Sequence, residues 1–200
     1  MINIIPSQAR FVHDFIQPAE GRELFDRIYR KTQWEQQTIM LYGNQFLAPR
    51  LTAWHGDKGA LYRHSGITSV PLPWYAELLE IRLKVENFLD KKFNSVLLNL
   101  YRNGNDGVGA HSDDEYDLGP NPVIVSVSLG ETRRFIFHPK EESNGPSIKV
   151  NLNHGSLLVM EGQCQSHWKH SIPKTKIAKG PRINLTFRQI KSEAVKYDNI

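Results

Sequence analysis

The sequence is poor in cysteine and has no long apolar run. Its one cysteine, Cys164, excludes an internal disulfide framework and any zinc site built from several cysteines, and it fits a reducing compartment. No apolar stretch is long enough to span a bilayer, and the start of the chain lacks the cationic region of a signal peptide. We therefore expect a soluble, intracellular protein, in the cytoplasm or the nucleus, with no membrane partner.

The sequence also lacks internal repeats and low-complexity segments. Its 200 residues, with 40% hydrophobic and 23% charged residues, predict one domain with a sizeable core, and we expect a monomer. The formal net charge is +4, and basic residues are concentrated between Lys169 and Lys196. This bias permits an anionic partner, but charge alone leaves open a solvated basic edge and a phosphate-binding surface.

Hydrophobic periodicity changes once along the chain. Helical spacing predicts one helix after Pro18 and a second from about Trp74 to Leu89. From Ser95 onward the period is two, and turn residues separate the predicted strands, which cover 95–101, 122–129, 135–137, 149–152, 156–160 and 182–188. Helices followed by many short strands indicate an α+β fold, a double-stranded β-helix or jelly roll braced by the N-terminal helices.

The last predicted strand, 182–188, alternates strictly between polar and apolar residues. Its polar face carries Arg182 and Arg188, with Asn184 and Thr186 between them. Two arginines on a buried face need an anion, and the guanidinium fork suits a dicarboxylate. The polar face therefore predicts a ligand cavity inside the jelly roll.

Two histidines and an aspartate have the composition of a metal site. His111 and Asp113 are two residues apart, so an extended segment points them the same way, and His170 must come from a neighbouring strand. Two imidazoles and one carboxylate form the facial triad of non-haem Fe(II) oxygenases. An H-x-D triplet alone is common, and zinc is the competing metal. The arginine-bearing strand favours iron, since a zinc hydrolase does not require two arginines.

Six short motifs in the second half of the chain resemble, in order, those of the AlkB family of Fe(II)/2-oxoglutarate dioxygenases. The two most specific are H-S-D-D-E at 111–115 and H-W-K-H-S-I-P at 167–173, which look most like the homologues that repair duplex DNA. The other four are N-L-Y at 99–101, S-V-S-L-G at 126–130, H-G-S-L-L at 154–158 and P-R-I-N-L-T-F-R at 181–188.

The resemblance implies that His111, Asp113 and His170 ligate Fe(II), which acts with the co-substrate 2-oxoglutarate. It further implies that Arg188 holds the distal carboxylate of 2-oxoglutarate and that Arg182 lies near the metal-bound end of the same molecule. The other positions that it places around the co-substrate are Asn99, Tyr101, Asn184 and Thr186.

The first half of the chain resembles the family's substrate lid less closely. Tyr62, His64 and Ser65 fall in that lid, where the resemblance implies that Tyr62 stacks on the flipped base. His64 departs from the aromatic residue usual in the family, which puts base preference in question.

Three further positions are assigned to the nucleic acid. Tyr42 and Gly43 fall where duplex-repairing relatives carry a wedge that fills the gap left by the base, although Tyr42 and Met40 could equally be core residues. Asp114 is expected to point at the substrate base rather than at the metal.

The function that these features predict is oxidative demethylation of N-alkylated bases in DNA, of the 1-methyladenine and 3-methylcytosine type, with release of aldehyde, succinate and CO2. The same chemistry on RNA or single-stranded DNA, and a protein hydroxylase, are the alternatives. A nucleic-acid binding module with an inactive metal site is disfavoured, because all three ligands and both arginines are present. We expect one dioxygenase domain over 1–200, with helices and lid at about 1–94 and the jelly-roll core at about 95–190.

Overall fold

A computed structural model describes residues 1–41, 43–64, 67–177 and 179–191, with the backbone alone at residues 41, 62–64 and 67–69. Within these residues the chain forms three α-helices, α1 (Pro18–Lys31), α2 (Ala76–Leu89) and α3 (Cys164–His167). Two short 3-10 helices cover Tyr116–Leu118 and Glu142–Asn144. None of the described helices is both long and apolar enough to cross a membrane.

Fifteen strands are found in the described part of the chain. In chain order they are β1 (Ile2–Ile5), β2 (Ala9–Val12), β3 (Thr38–Leu41), β4 (Asn44–Leu47), β5 (Leu51–Gly56), β6 (Tyr62–His64), β7 (Ile67–Ser69), β8 (Ser95–Tyr101), β9 (Val108–His111), β10 (Ile124–Gly130), β11 (Arg133–Pro139), β12 (Ile148–Leu152), β13 (Leu157–Met160), β14 (Trp168–Ile172) and β15 (Arg182–Arg188).

Two antiparallel sheets make up the body of the protein. The larger has the order β1-β2-β13-β10-β15-β8-β5, and the smaller has the order β12-β11-β14-β9. Two hairpins, β3–β4 and β6–β7, form separate two-stranded sheets. The arrangement confirms the predicted jelly roll with α+β composition.

Strand alternation explains how the larger sheet buries both faces. On β10, Val125, Val127 and Leu129 are fully buried and belong to a core that also contains Leu24 of α1 and Leu78 of α2. This core covers the sheet's outer face, and each fully buried aliphatic side chain contributes about 1.5–3 kcal/mol. The prediction that an apolar sheet face packs against the helices is therefore confirmed.

A second core fills the space between the two sheets. Phe135 and Phe137 of β11 pack edge to face in it, with ring centroids 4.8 Å apart. Tyr101 from the inner face of β8 belongs to the same cluster. Beside these aromatic residues lie the polar inner faces of β8, β10 and β15, so the space between the sheets combines an apolar core with a polar cavity.

The predicted second helix ends at Leu89 as expected, but it begins two residues later than predicted. Helix α2 begins at Ala76, because Tyr75 has extended backbone angles and forms the N-cap. Trp74 precedes the helix, stacks parallel to Phe187 and donates its indole N–H to Asp57 Oδ1 at 2.7 Å. At the other end Phe88 is 46% exposed. Apolar spacing was therefore a correct guide to the body and the end of the helix, but not to its start or to the burial of Phe88.

The first 94 residues were expected to form helices and a lid, but they also contribute strands to the large sheet. Strands β1 and β2 extend the large sheet beyond β13, and β5 pairs with β8 along its whole length. Residues before and after position 94 thus share one sheet.

Candidate metal centre

Pairing between β9 and β14 brings the two predicted histidine ligands together. His111 ends β9 and is the register partner of His170 on β14, and the two ring centroids are 4.3 Å apart. Asp113 lies two residues beyond His111, just past the strand end. One ligand atom from each of the three residues can be chosen so that all lie within 4.8 Å of one another. The structure therefore assembles the triad that the sequence predicted.

The ring of His111 is oriented by its own strand. Its Nδ1 lies 2.9 Å from the carbonyl oxygen of Gly109, and since a carbonyl can only accept, Nδ1 carries the proton. Nε2 then faces Asp113, whose Oδ1 is 3.8 Å away. A second hydrogen bond of this kind is the usual way in which a protein fixes a histidine ligand.

Burial keeps the second histidine in the form that a metal requires. His170 is buried and stacks on Phe135, with centroids 5.2 Å apart and planes 13° from parallel. Burial lowers the pKa of His170 to about 4, and the opposing pull of the Asp113 charge is smaller. The imidazole is therefore neutral at neutral pH, which leaves a nitrogen lone pair available for a metal.

Asp113 is ionised despite being buried. Burial alone would raise the pKa of this carboxyl, but the Arg188 guanidinium and the two histidines outweigh it and hold the pKa below its usual range. Arg188 Nη2 donates to Asp113 Oδ2 at 2.9 Å. The centre thus has a neutral imidazole at His170 beside a carboxylate at Asp113, and with His111 it has the ligand types of an Fe(II) facial triad.

The positions of the two arginines are the reverse of those expected. Arg188 was expected at the distal end of the co-substrate, but its bond to Asp113 places it at the metal end. Arg182, expected near the metal, is six residues away from Arg188 at the opposite end of β15. Six residues correspond to roughly 20 Å of extended chain. The expectation was wrong about which arginine lies near the metal ligands, but it was right that both arginines lie on the inner face of the strand.

Arg182 is a buried cation that lacks an anionic partner among the described residues. It is 1% exposed, and its Nη2 donates to Ser128 Oγ at 2.8 Å and to Asn184 Oδ1 at 2.9 Å. Within the described chain its Nε and Nη1 have no hydrogen-bond acceptor. Burial lowers the pKa of Arg182 to about 10. Since an unpaired buried charge is costly, the two free donors indicate a site for a carboxylate.

One cavity connects Arg182 with the two histidine ligands. Asn99 on its wall accepts a hydrogen bond from Arg50 Nε at 2.9 Å. The Tyr101 ring lies under the Arg182 guanidinium, 5.3 Å from centroid to carbon. The predicted co-substrate residues that line this cavity are Asn99, Tyr101, Arg182, Asn184 and Thr186. With His111 and His170 at one end and the Nε and Nη1 donors of Arg182 at the other, the cavity has the groups that would bind a short dicarboxylate.

Several residues that the structure places in or beside this cavity had weaker signals in the sequence. Arg50 lines it from the segment before β5, and Ser126 lines it from β10, where it bonds to Asn184. Ser126 and Ser128 alternate with valines, so the pattern that revealed the arginine strand was also present on β10. Gln165 accepts the backbone N–H of Asp113 at 2.9 Å, and no periodic pattern pointed to it.

The predicted nucleic-acid residues are only partly described. Tyr42 and Ser65 lie outside the described residues, while Tyr62 and His64 are placed by their backbone at the two ends of β6. Gly43 lies between β3 and β4 with a φ of 78°, which suits glycine at a hairpin turn. Asp114 is exposed and pairs with Lys140, whose Nζ is 3.1 Å from Oδ2.

Comparison with known proteins identifies the family. A family described as the 2OG-Fe(II) oxygenase superfamily matches residues 8–188. The alpha-ketoglutarate-dependent dioxygenase alkB homolog 3 of Bos taurus is 41% identical over 184 residues, which cover 88% of this chain and 64% of that protein. The DNA oxidative demethylase ALKBH2 of Homo sapiens is 38% identical over 181 residues, covering 86% and 69%. The chain thus spans less than two thirds of the length of its alkB homolog 3 relatives.

Solved structures share the fold at low identity. The structure of OsALKBH1 superposes with a TM-score of 0.63 at 19% identity, covering 92% of this chain and 99% of that one. A prolyl hydroxylase from Trichoplax adhaerens, in complex with a peptide fragment of hypoxia inducible factor, gives 0.65 at 13% identity, covering 94% and 86%. Both likenesses show the jelly-roll architecture alone.

Proposed function

The chain belongs to the 2OG-Fe(II) oxygenase superfamily and, within it, to the AlkB homologues, and from this premise we propose that it oxidatively demethylates N-alkylated bases in DNA. Family membership implies Fe(II) and 2-oxoglutarate. The observation that carries the proposal is the cavity lined by both histidines of the His-Asp-His triad and by Arg182, whose Nε and Nη1 have no acceptor among the described residues.

Each residue has a separate task in this proposal. His111, Asp113 and His170 hold the iron, while Arg188 keeps Asp113 ionised and oriented. Arg182 binds the far carboxylate of 2-oxoglutarate through its free Nε and Nη1, a charge-assisted pair in low dielectric. When bound, Fe(II) with 2-oxoglutarate and O2 supplies oxidation of the N-alkyl carbon, with succinate, CO2, an aldehyde and the restored base as products. The buried walls exclude water from the reacting groups.

Several exposed features of the described chain support a nucleic-acid substrate. Lys174 and Lys176 are exposed on the segment that follows β14, the strand of His170, and can contact phosphates. Met40, Phe46 and Leu47 on the β3–β4 hairpin are between 50% and 64% exposed. Exposed apolar side chains on a hairpin suit insertion between base steps, since apolar wedges are used to unstack a duplex. A base must leave the stack before its ring atoms can be modified.

Replacement of Asp114 by Asn tests the proposed contact with the base. Its exposed ion pair with Lys140 is weak, about 0–1 kcal/mol, so a cationic base can take over the carboxylate. We expect Asp114→Asn to lower kcat/KM for cationic 1-methyladenine by about 10-fold, the loss of one charged hydrogen bond. Activity on neutral 3-methylthymine should change less. Asp26→Asn on α1 is the control, and equal losses on both bases would contradict a charge contact.

Formaldehyde release tests the substrate. Matched oligonucleotides carrying 1-methyladenine are supplied as single strands and as duplexes, in DNA and in RNA, with Fe(II), 2-oxoglutarate and ascorbate. We expect release from duplex DNA at least as fast as from single-stranded DNA, and we expect Tyr42→Ala to slow the duplex reaction selectively. Release from RNA or single-stranded DNA alone would replace the proposed substrate, and release from no oligonucleotide would contradict base demethylation.

A further inference from the structure

The strand ladder that aligns the two histidines does not reach Asp113. Strand β9 ends at His111, which pairs with His170 on β14, and Asp113 lies two residues beyond the strand end. A metal site needs all three ligands held in fixed relation, and loop residues are more mobile than ladder residues. Something other than the ladder must therefore hold the backbone at Asp113.

Gln165 holds the backbone at Asp113. It is 2% exposed, and its side-chain Oε1 accepts the backbone N–H of Asp113 at 2.9 Å. The other end of the same amide donates to Met160 Sδ at 3.6 Å, so the orientation of the amide is fixed. This bond supplies the backbone of Asp113 with the acceptor that the strand ladder does not provide.

The bond also ties Asp113 to the segment that carries another ligand. Gln165 lies in α3, which runs directly into β14 and so to His170. A second link runs the same way, since Ser112 Oγ donates to the carbonyl oxygen of Trp168 at 3.0 Å. Residues 112 and 113 are thus fastened to the α3–β14 unit by two hydrogen bonds.

The side chain of Asp113 is held from another direction. Its Oδ2 accepts from Arg188 at 2.9 Å, and its Oδ1 faces His111 Nε2 at 3.8 Å. With the backbone fixed by Gln165 and one oxygen fixed by Arg188, Oδ1 is left directed at the metal position. Loss of the backbone anchor would let Arg188 draw the whole carboxylate away.

We infer that Gln165 is a positioning residue that presets Asp113 for metal binding. The inference rests on the proposed function, because it requires the triad to be the metal site. Partners that orient metal ligands are worth about 10–100-fold in metal affinity. A residue that only filled space in the fold would change stability and leave the affinity of the folded protein unaltered.

Gln165→Met tests the inference, because it keeps the length of the side chain and removes the acceptor. Co(II), a redox-stable substitute for Fe(II), is titrated into the metal-free protein and followed by its visible absorption. We expect Co(II) to bind about 10–100-fold more weakly than to wild type, with an altered absorption band. Gln163→Met, the same change at an exposed residue two positions away, should bind Co(II) as wild type does.

Two further variants separate the possible outcomes. Gln165→Glu keeps an oxygen acceptor for the Asp113 N–H, and any negative charge that it adds favours binding of a cation. A loss of Co(II) affinity as large as that of Gln165→Met would therefore overturn the inference. Unchanged Co(II) affinity in folded Gln165→Met, with only a lower melting temperature, would overturn it as well. His111→Ala reports on the site itself: if it binds Co(II) as tightly as wild type, the proposed metal site is wrong and the inference falls with it.

Discussion

His111→Ala is expected to abolish 2-oxoglutarate turnover and leave the fold intact. Partners that only orient a metal ligand are worth about 10–100-fold, so removal of a ligand should weaken metal binding by more than about 100-fold. The cost to the fold is small, because His111 is partly exposed and its hydrogen bond to Gly109 contributes about 0.5–1.5 kcal/mol. Succinate formation, Co(II) affinity and thermal melting should be measured together.

His13→Ala is the matched control for this experiment. His13 is an exposed histidine directly after β2, and it is not one of the three metal-ligand candidates. It should retain turnover and Co(II) affinity. Iron-dependent turnover that survived in His111→Ala would refute the metal assignment. Loss of the cooperative melting transition would instead show that His111 is needed for the fold.

Arg182→Met is expected to separate co-substrate binding from stability. Two charge-assisted hydrogen bonds to a carboxylate, each contributing about 1.5–3 kcal/mol, predict a rise of at least about 100-fold in KM for 2-oxoglutarate. The ligand-free protein should not lose stability, because removal of a buried cation with no anionic partner among the described residues outweighs the loss of its hydrogen bonds to Ser128 and Asn184. Its melting temperature should be at least that of wild type.

Thermal melting with and without Mn(II) and 2-oxoglutarate measures the stability of the ligand-free protein and the stabilisation that each ligand adds. Wild type should melt at higher temperature with both ligands, and Arg182→Met should gain only the increment that the metal supplies. Arg134→Met, an exposed arginine on β11, is the control and should behave as wild type in both assays. An unchanged KM in Arg182→Met would contradict the assignment of Arg182 to the distal carboxylate.

Strict alternation made the inner strands predictable. On β10 and β15 every second residue is apolar and buried in the helix-covered core, so the sequence alone identified both the strand and the face. Several N-terminal strands offered no such pattern. All four residues of β4 are exposed, and β6 and β7 have three residues each, which is too short for a periodic signal.

The order of the two arginines shows where sequence reasoning stops. Alternation places Arg182 and Arg188 on one face, but it does not say which end of the strand approaches Asp113. That depends on how the small sheet, with His111 and His170, is laid over the large one. Gln165 was missed for a similar reason, since it lies on a four-residue helix and contacts a residue 52 positions away.

The most direct test of the account is the mass of an oligonucleotide carrying one 1-methyladenine, measured after incubation with the protein, Fe(II), 2-oxoglutarate and O2. We expect the oligonucleotide to lose the mass of one methylene group and succinate to form in equal amount, and we expect omission of 2-oxoglutarate to prevent both. Formation of succinate while the oligonucleotide keeps its methyl group would contradict this expectation, because the oxygenase would then be active on another kind of substrate.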